Sequence, residues 1–144
     1  MALRASCDAC TTFRELQKKR QIAQPWLAVL TQFQAGVTIY YVAYRRASPL
    51  PKEADFAVRD CTSVLAILAD RWRTAEHYRD CFELLVRVFS QAEGGSLSGV
   101  GAEINELLSV LVERVLESGV HGHVADMLRE FCEDGKGNAD DNIQ

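Results

Sequence analysis

Apolar residues along this chain recur at helical rather than alternating spacing, and the recurrence is broken at a few short polar stretches. The clearest segment is "QPWLAVLTQFQAGVTIYYVAYRRA", where Trp26, Leu30, Phe33, Val37, Tyr40, Tyr41 and Tyr44 fall on one broad, aromatic face of a long helix. Pro25 suits its first turn, where the missing N–H has no helical partner to lose. Arg45 and Arg46 suit its last turn, where cations offset the helix dipole. Gly36 beside that face gives a neighbouring helix room to approach. "SPLPKE" punctuates the chain through Pro49 and Pro51.

Four further helices follow from the same pattern. Residues 53–73 place Ala57, Cys61, Val64, Leu65, Leu68 and Trp72 inside. Residues 75–92 place Tyr78, Phe82, Leu85 and Phe89 inside. "GGSLSG" reads as a flexible connection. Residues 100–118 bury Ile104, Leu107, Leu108, Leu111, Val112 and Val115, and Gly119 is positioned as a C-terminal glycine cap. Residues 121–133 carry Val124, Met127, Leu128, Phe131 and Cys132 on one stripe. Residues 1–22 read as a polar basic arm with room for a short helix, residues 23–133 as the helical domain, and residues 134–144 as a flexible polar tail. The expectation is all-α, a single-domain bundle of about five to six helices.

Composition changes this picture little, but charge does. Hydrophobic residues make up 48% and charged residues 25% of the 144-residue chain, a globular profile. Residues 1–47 carry seven Lys/Arg and two Asp/Glu, a net of +5, whereas residues 48–144 carry nine and eighteen, a net of −9. An acidic body repels a phosphate backbone, so direct nucleic-acid binding is not expected. The most apolar run, Trp26 to Tyr44, is interrupted by Thr31, Gln32, Gln34 and Thr38, so no membrane span is expected. Five cysteines, an odd count set mostly on helical faces, point to reduced thiols inside a cell.

Two stretches taken together resemble a known family. "QPWLAVLTQFQAGVTIYYVAY" is followed by "DCTSVLAILADRWRTAEHYRDCFELL", and the pair is similar to the C-terminal part of the regulatory (middle homology) region of fungal zinc-cluster transcription factors. The matching residues are Ala69, Arg71, Trp72, Tyr78, Arg79, Asp80, Phe82, Glu83 and Leu85, within residues 22–92. The opening "RASCDAC" resembles the start of that family's zinc cluster, but the next cysteine of the pattern would fall at Gln17. Structural zinc takes a tetrahedral ligand set, and Cys7 with Cys10 supplies half of one, so no zinc cluster is expected in a single chain. Two chains pairing their C-x-x-C motifs would supply a full set. The resemblance implies a fragment or a shortened relative whose exposed apolar surface is covered by a protein partner, by a hydrophobic small molecule or by a second copy in a homodimer.

Individual residues carry both structural and chemical readings. Arg71 and Trp72 close a helix, and Arg71 also suits the mouth of a pocket, with Asp60 on the same flank. His77 suits a half-buried position near a helix start or an acid–base role. Asp80 and Glu83, beside Arg79 and Arg87, read as a solvated charged face. Trp26, Phe33, Tyr40, Tyr41, Tyr44, Trp72 and Tyr78 are core candidates that would also suit a pocket for a flat hydrophobic molecule. "HGH" at His121 and His123 has the wrong spacing for a helical chelating pair. No cofactor fingerprint or nucleophile elbow occurs, so neither cofactor nor metal is expected. Two functions remain. One is a regulatory or interaction module, nuclear in that case. The other is a cytoplasmic, cofactor-independent enzyme of fungal secondary metabolism that cyclises or rearranges a hydrophobic intermediate, with Asp60, Arg71 and His77 as its polar groups.

Overall fold

The computed structural model describes residues 2–22, 24–92, 101–120 and 122–140. Among them the chain forms six α-helices and no strand: α1 (Ala2–Lys18), α2 (Pro25–Arg46), α3 (Lys52–Arg71), α4 (Glu76–Gln91), α5 (Ala102–Glu117) and α6 (Gly122–Asp140). A single 3-10 turn, Arg73–Ala75, joins α3 to α4. The all-α bundle expected from the apolar spacing is the fold observed. The "GGSLSG" connection and His121 lie outside the described residues.

The central element is α2, which packs against α1, α3, α4 and α6. The others run round it, with α3 on α4, α4 on α5 and α5 on α6, and α1 lies across α2 and α3. Because α2 meets neighbours on several sides, its buried set is wider than one aromatic face. It includes Val29, Gln32, Ala35, Gly36, Ile39 and Ala43 as well as Phe33, Val37 and Tyr40. Gly36 is a site of close approach. A methyl group there would collide with the Phe82 ring of α4 and lie 2.9 Å from Cys61 Sγ of α3. Small residues, not large ones, therefore set the spacing of these three helices.

Residues 2–18, read as part of a basic arm, are instead a full helix built into the core. Leu3, Ser6, Cys7, Cys10 and Phe13 form its inner stripe, with Cys10 and Ser6 buried. The stripe has helical spacing, but its small and polar members make a weak signal against the basic residues around it. At the other end, α6 continues to Asp140 beyond the expected boundary near residue 133. Gly135 sits against α5, and Asn105 Nδ2 donates to its carbonyl at 3.2 Å.

Three residues placed inside by periodicity lie outside: Trp26 in the first turn of α2, Trp72 and Leu107. α3 ends at Arg71, and Trp72 turns to extended backbone (φ −132°, ψ 114°), so the helical projection no longer applies and the indole is 37% exposed. Leu107 is also exposed, because α5 meets the bundle along Leu108, Leu111, Val112 and Val115, flanked by Ile104 and Leu116, and Leu107 lies off that stripe.

Helix ends are made largely by backbone geometry. α1 and α2 both close with a left-handed residue that is not glycine, Arg20 (φ 55°) and Ala47 (φ 46°). In each case the hydrogen bonds are those of a Schellman motif. Arg20 N–H donates to Gln17 O at 3.0 Å and Gln21 N–H to Leu16 O at 2.9 Å. Ala47 N–H donates to Tyr44 O at 3.1 Å and Ser48 N–H to Ala43 O at 3.2 Å. After α5 the left-handed residue is Gly119 (φ 91°), the glycine expected there.

Candidate functional site

Two cavities open at opposite ends of α2 and α3. The larger, about 640 Å³, lies between the C-terminal half of α2, the N-terminal half of α3 and the C-terminal end of α4. Its aromatic wall is Tyr40 stacked on Phe89, with ring centroids 4.5 Å apart and planes inclined by 18°. Phe89 is held in turn by an edge-to-face contact with Phe131 of α6, at 5.2 Å. Val58, Val86 and Leu50 add apolar surface.

Polar groups are few and sit where the helices supply them. Thr62 Oγ1 donates to Val58 O, Ser63 Oγ to Arg59 O at 3.0 Å, and Ser90 Oγ to Val86 O at 2.6 Å. Each hydroxyl proton is committed to its own helix, so these oxygens offer lone pairs to the groove. Arg59 and Asp55 line the groove as an i, i+4 ion pair at 3.0 Å. Burial, and then the nearby Cys61, push the Tyr40 phenol up, so it stays a protonated donor at neutral pH.

The smaller cavity, about 340 Å³, lies between the C-terminal end of α1, the start of α2 and the C-terminal end of α3. Lys18, Arg20 and Arg71 line it together with Trp72, Ile22 and Pro25, and no Asp or Glu among the described residues does.

The residues singled out in the sequence are thus divided. Tyr40, Tyr44 and the unforeseen Phe89 meet at the larger groove. Phe33 and Tyr78 are fully buried in edge-to-face contact at 5.2 Å, as core. Trp26, 44% exposed, packs its ring edge-on to Tyr78 at 5.6 Å. Tyr41 and Tyr44 pack on Phe131, and Tyr41 Oη donates to Glu130 Oε2 at 2.7 Å. That bond, then burial, holds the Tyr41 phenol above its ordinary value. Arg45 joins the same carboxylate at 3.2 Å, so these tyrosines tie α2 to α6. Arg71 and Trp72 are at the smaller cleft, whereas Asp60 and His77 line neither cavity. The three polar groups considered for catalysis are not brought to one place. Arg79 bonds its neighbour Asp80 at 2.9 Å, a charged surface contact.

The C-x-x-C motif is divided too. Cys10 faces the core beside Cys61, and Cys7 is half-buried. Cys61 Sγ donates to Gln32 O at 3.2 Å; burial, then the Cys10 thiol, push it well above its ordinary value. Gln32 is itself buried, with Nε2 donating to Cys10 O at 3.3 Å. Among the described residues no group of three or more His, Cys, Asp or Glu is arranged to hold a metal ion. Exposed apolar side chains that a protein partner or second copy would cover are dispersed: Trp26 and Leu27 on α2, Phe56 on α3, and Leu107 with Val110 on α5. Among the described residues no helix is long and apolar enough to cross a membrane.

Fold and cavities define a class, a small all-helical bundle with a concave aromatic groove. Compared with known proteins, the chain matches no family model, no curated protein and no solved structure.

Proposed function

We propose that the chain is a small helical regulatory module that binds a flat, largely apolar small molecule in the groove between α2, α3 and α4. The observation that carries this reading is the Tyr40–Phe89 stack, which forms one wall of a 640 Å³ concavity open to solvent. Ligand sites are commonly concave, mostly apolar and supplied with a few fixed polar groups, in a range of about 300–1,000 Å³. A ring laid against Phe89 and Tyr40 gains apolar burial and aromatic contact. The acceptor oxygens of Thr62, Ser63 and Ser90 favour a ligand with a hydroxyl or amine, and the Tyr40 phenol suits a carbonyl.

The resemblance of residues 22–92 to the regulatory region of zinc-cluster transcription factors supports a role in which such a ligand controls a partner contact. The separation of Asp60 and His77 from both cavities favours binding over catalysis. Ser63→Trp tests the reading, because it fills the groove from an α3 position without touching the aromatic wall. A panel of planar phenols, amines and ketones is titrated against the protein while the backbone amide NMR signals of α2, α3 and α4 are followed. The expected result is saturable shifts confined to the groove residues, abolished in Ser63→Trp with its melting temperature retained. Shifts that ignore Ser63→Trp, or no shifts with any member, would count against the groove as a ligand site.

A further inference from the structure

We propose that the cleft at the opposite end of the bundle is a second binding site, for a small organic anion with a flat apolar body, such as an aromatic carboxylate or sulfonate. α1 ends in a Schellman motif whose left-handed position is ordinarily filled by glycine, and here it holds Arg20 at φ 55°. A side chain in that conformation is strained, because its Cβ crowds the following carbonyl oxygen. The sharp turn puts Arg20 on the wall of the 340 Å³ cleft, alongside Lys18 from α1 and Arg71 from α3.

Charge in the cleft is unbalanced. Arg20 and Arg71 form no ion pair among the described residues, and Lys18 has only a long, exposed contact of 3.7 Å with Glu15. The C-terminal ends of α1 and α3 contribute about half a negative charge each. That is a total of about −1 against three cations, so a net positive field remains. Lys18 and Arg20 come from residues 1–47, which sum to +5, and Arg71 adds a third cation from residues 48–144, which sum to −9, so the cleft concentrates the positive charge of an otherwise acidic protein. An apolar surface accompanies the charge. Trp72 stands at the edge because α3 stops before it, and Ile22 with Pro25 forms the facing side. An anionic head would meet the guanidinium groups, which grip planar oxyanions in bidentate fashion, while its ring lies on the indole.

Anilinonaphthalene sulfonate is the probe, with neutral phenylnaphthylamine as comparator. The chain has two tryptophans, so its NMR spectrum offers two indole N–H signals as reporters. Expected is saturable binding of the sulfonate that shifts the Trp72 signal and leaves Trp26 in place, with the neutral compound about tenfold weaker. The Arg20→Ser, Arg71→Ser double variant weakens sulfonate binding about tenfold, from two exposed ion pairs worth a few-fold each. Arg20→Gly is the decisive variant, since a merely structural arginine predicts no effect on binding. It should keep or raise the melting temperature and still weaken the sulfonate several-fold. Equal binding of the two probes, an unmoved Trp72 signal in the unmodified protein, or unchanged affinity in Arg20→Gly would overturn the proposal.

Discussion

The two cavities use the same two helices, α2 and α3, and differ in almost everything else. The larger is walled by stacked rings that are themselves braced from behind by Phe131, and its hydroxyls are locked onto their own helices. The smaller is walled by three flexible cations and one exposed indole at helix ends. One is therefore set by packing in the middle of elements, and the other by where elements stop. In the middle of α2 lies Gly36, where Phe82 of α4 and Cys61 of α3 leave no room for a Cβ. A perturbation at Gly36 should reach both cavities, and one at either end should reach only its own.

Gly36→Val is the most damaging change expected. The added methyl groups collide with Phe82 and Cys61, and at least about 3 kcal/mol of stability should be lost. Urea unfolding measures this directly, and a variant with the parental midpoint would show that the three helices can separate without cost. Phe89→Ala should cost about 2 kcal/mol, less than a fully buried ring because Phe89 is only half-buried. It should disable the larger groove and leave the sulfonate site intact. Trp72→Ala should do the reverse at about 1 kcal/mol or less, since the indole has left the core. If both substitutions weakened both sites, the cavities would be coupled through the bundle rather than independent.

Alkaline pH provides a gentler separation. Burial raises Cys61, Cys81 and Tyr40 from ordinary values of 9.0 for a thiol and 10.0 for a phenol. The unfolded chain releases these protons first, so it binds fewer protons than the native state and stability falls as pH rises. The melting temperature should be flat near neutrality and decline above about pH 9, with Cys81→Ala softening the decline. A melting temperature independent of pH up to the phenol range would contradict the burial of these groups. The smallest effect is expected at the second left-handed cap. Ala47→Gly relieves backbone strain but adds unfolded-state freedom, for a net gain of about 0.5 kcal/mol. Calorimetry should find the groove ligand's affinity unchanged, because Ala47 carries no side chain that contacts it.

Much of the helical plan was legible in the sequence. Pro25, Pro49, Pro51 and Gly119 mark ends that the structure retains, and the stripe Leu108, Leu111, Val112, Val115 faces inward as its spacing requires. The candidate sites were less legible. Tyr40 was visible as an aromatic on a broad face, but its partner Phe89 comes from a separate helix, and nothing in the spacing of either tells that they stack. Thr62, Ser63 and Ser90 carry no periodic signal at all. Arg20 gave no sign either, since an arginine in a left-handed turn violates local preference rather than following it.

Periodicity and punctuation by themselves determined six of the chain's properties at the level of elements: the helical class, with modest error the extents of α2 to α5, and the start of α6. They did so because helix formation and the burial of one stripe are local demands that each segment meets from its own residues. Only the tertiary structure decided that the first 22 residues include a core helix, that Trp72 lies outside, that Asp60 and His77 stand apart, and that two cavities of opposite character share α2 and α3. These depend on which faces meet and where a backbone turns away, and that is fixed by contacts between residues far apart in the chain.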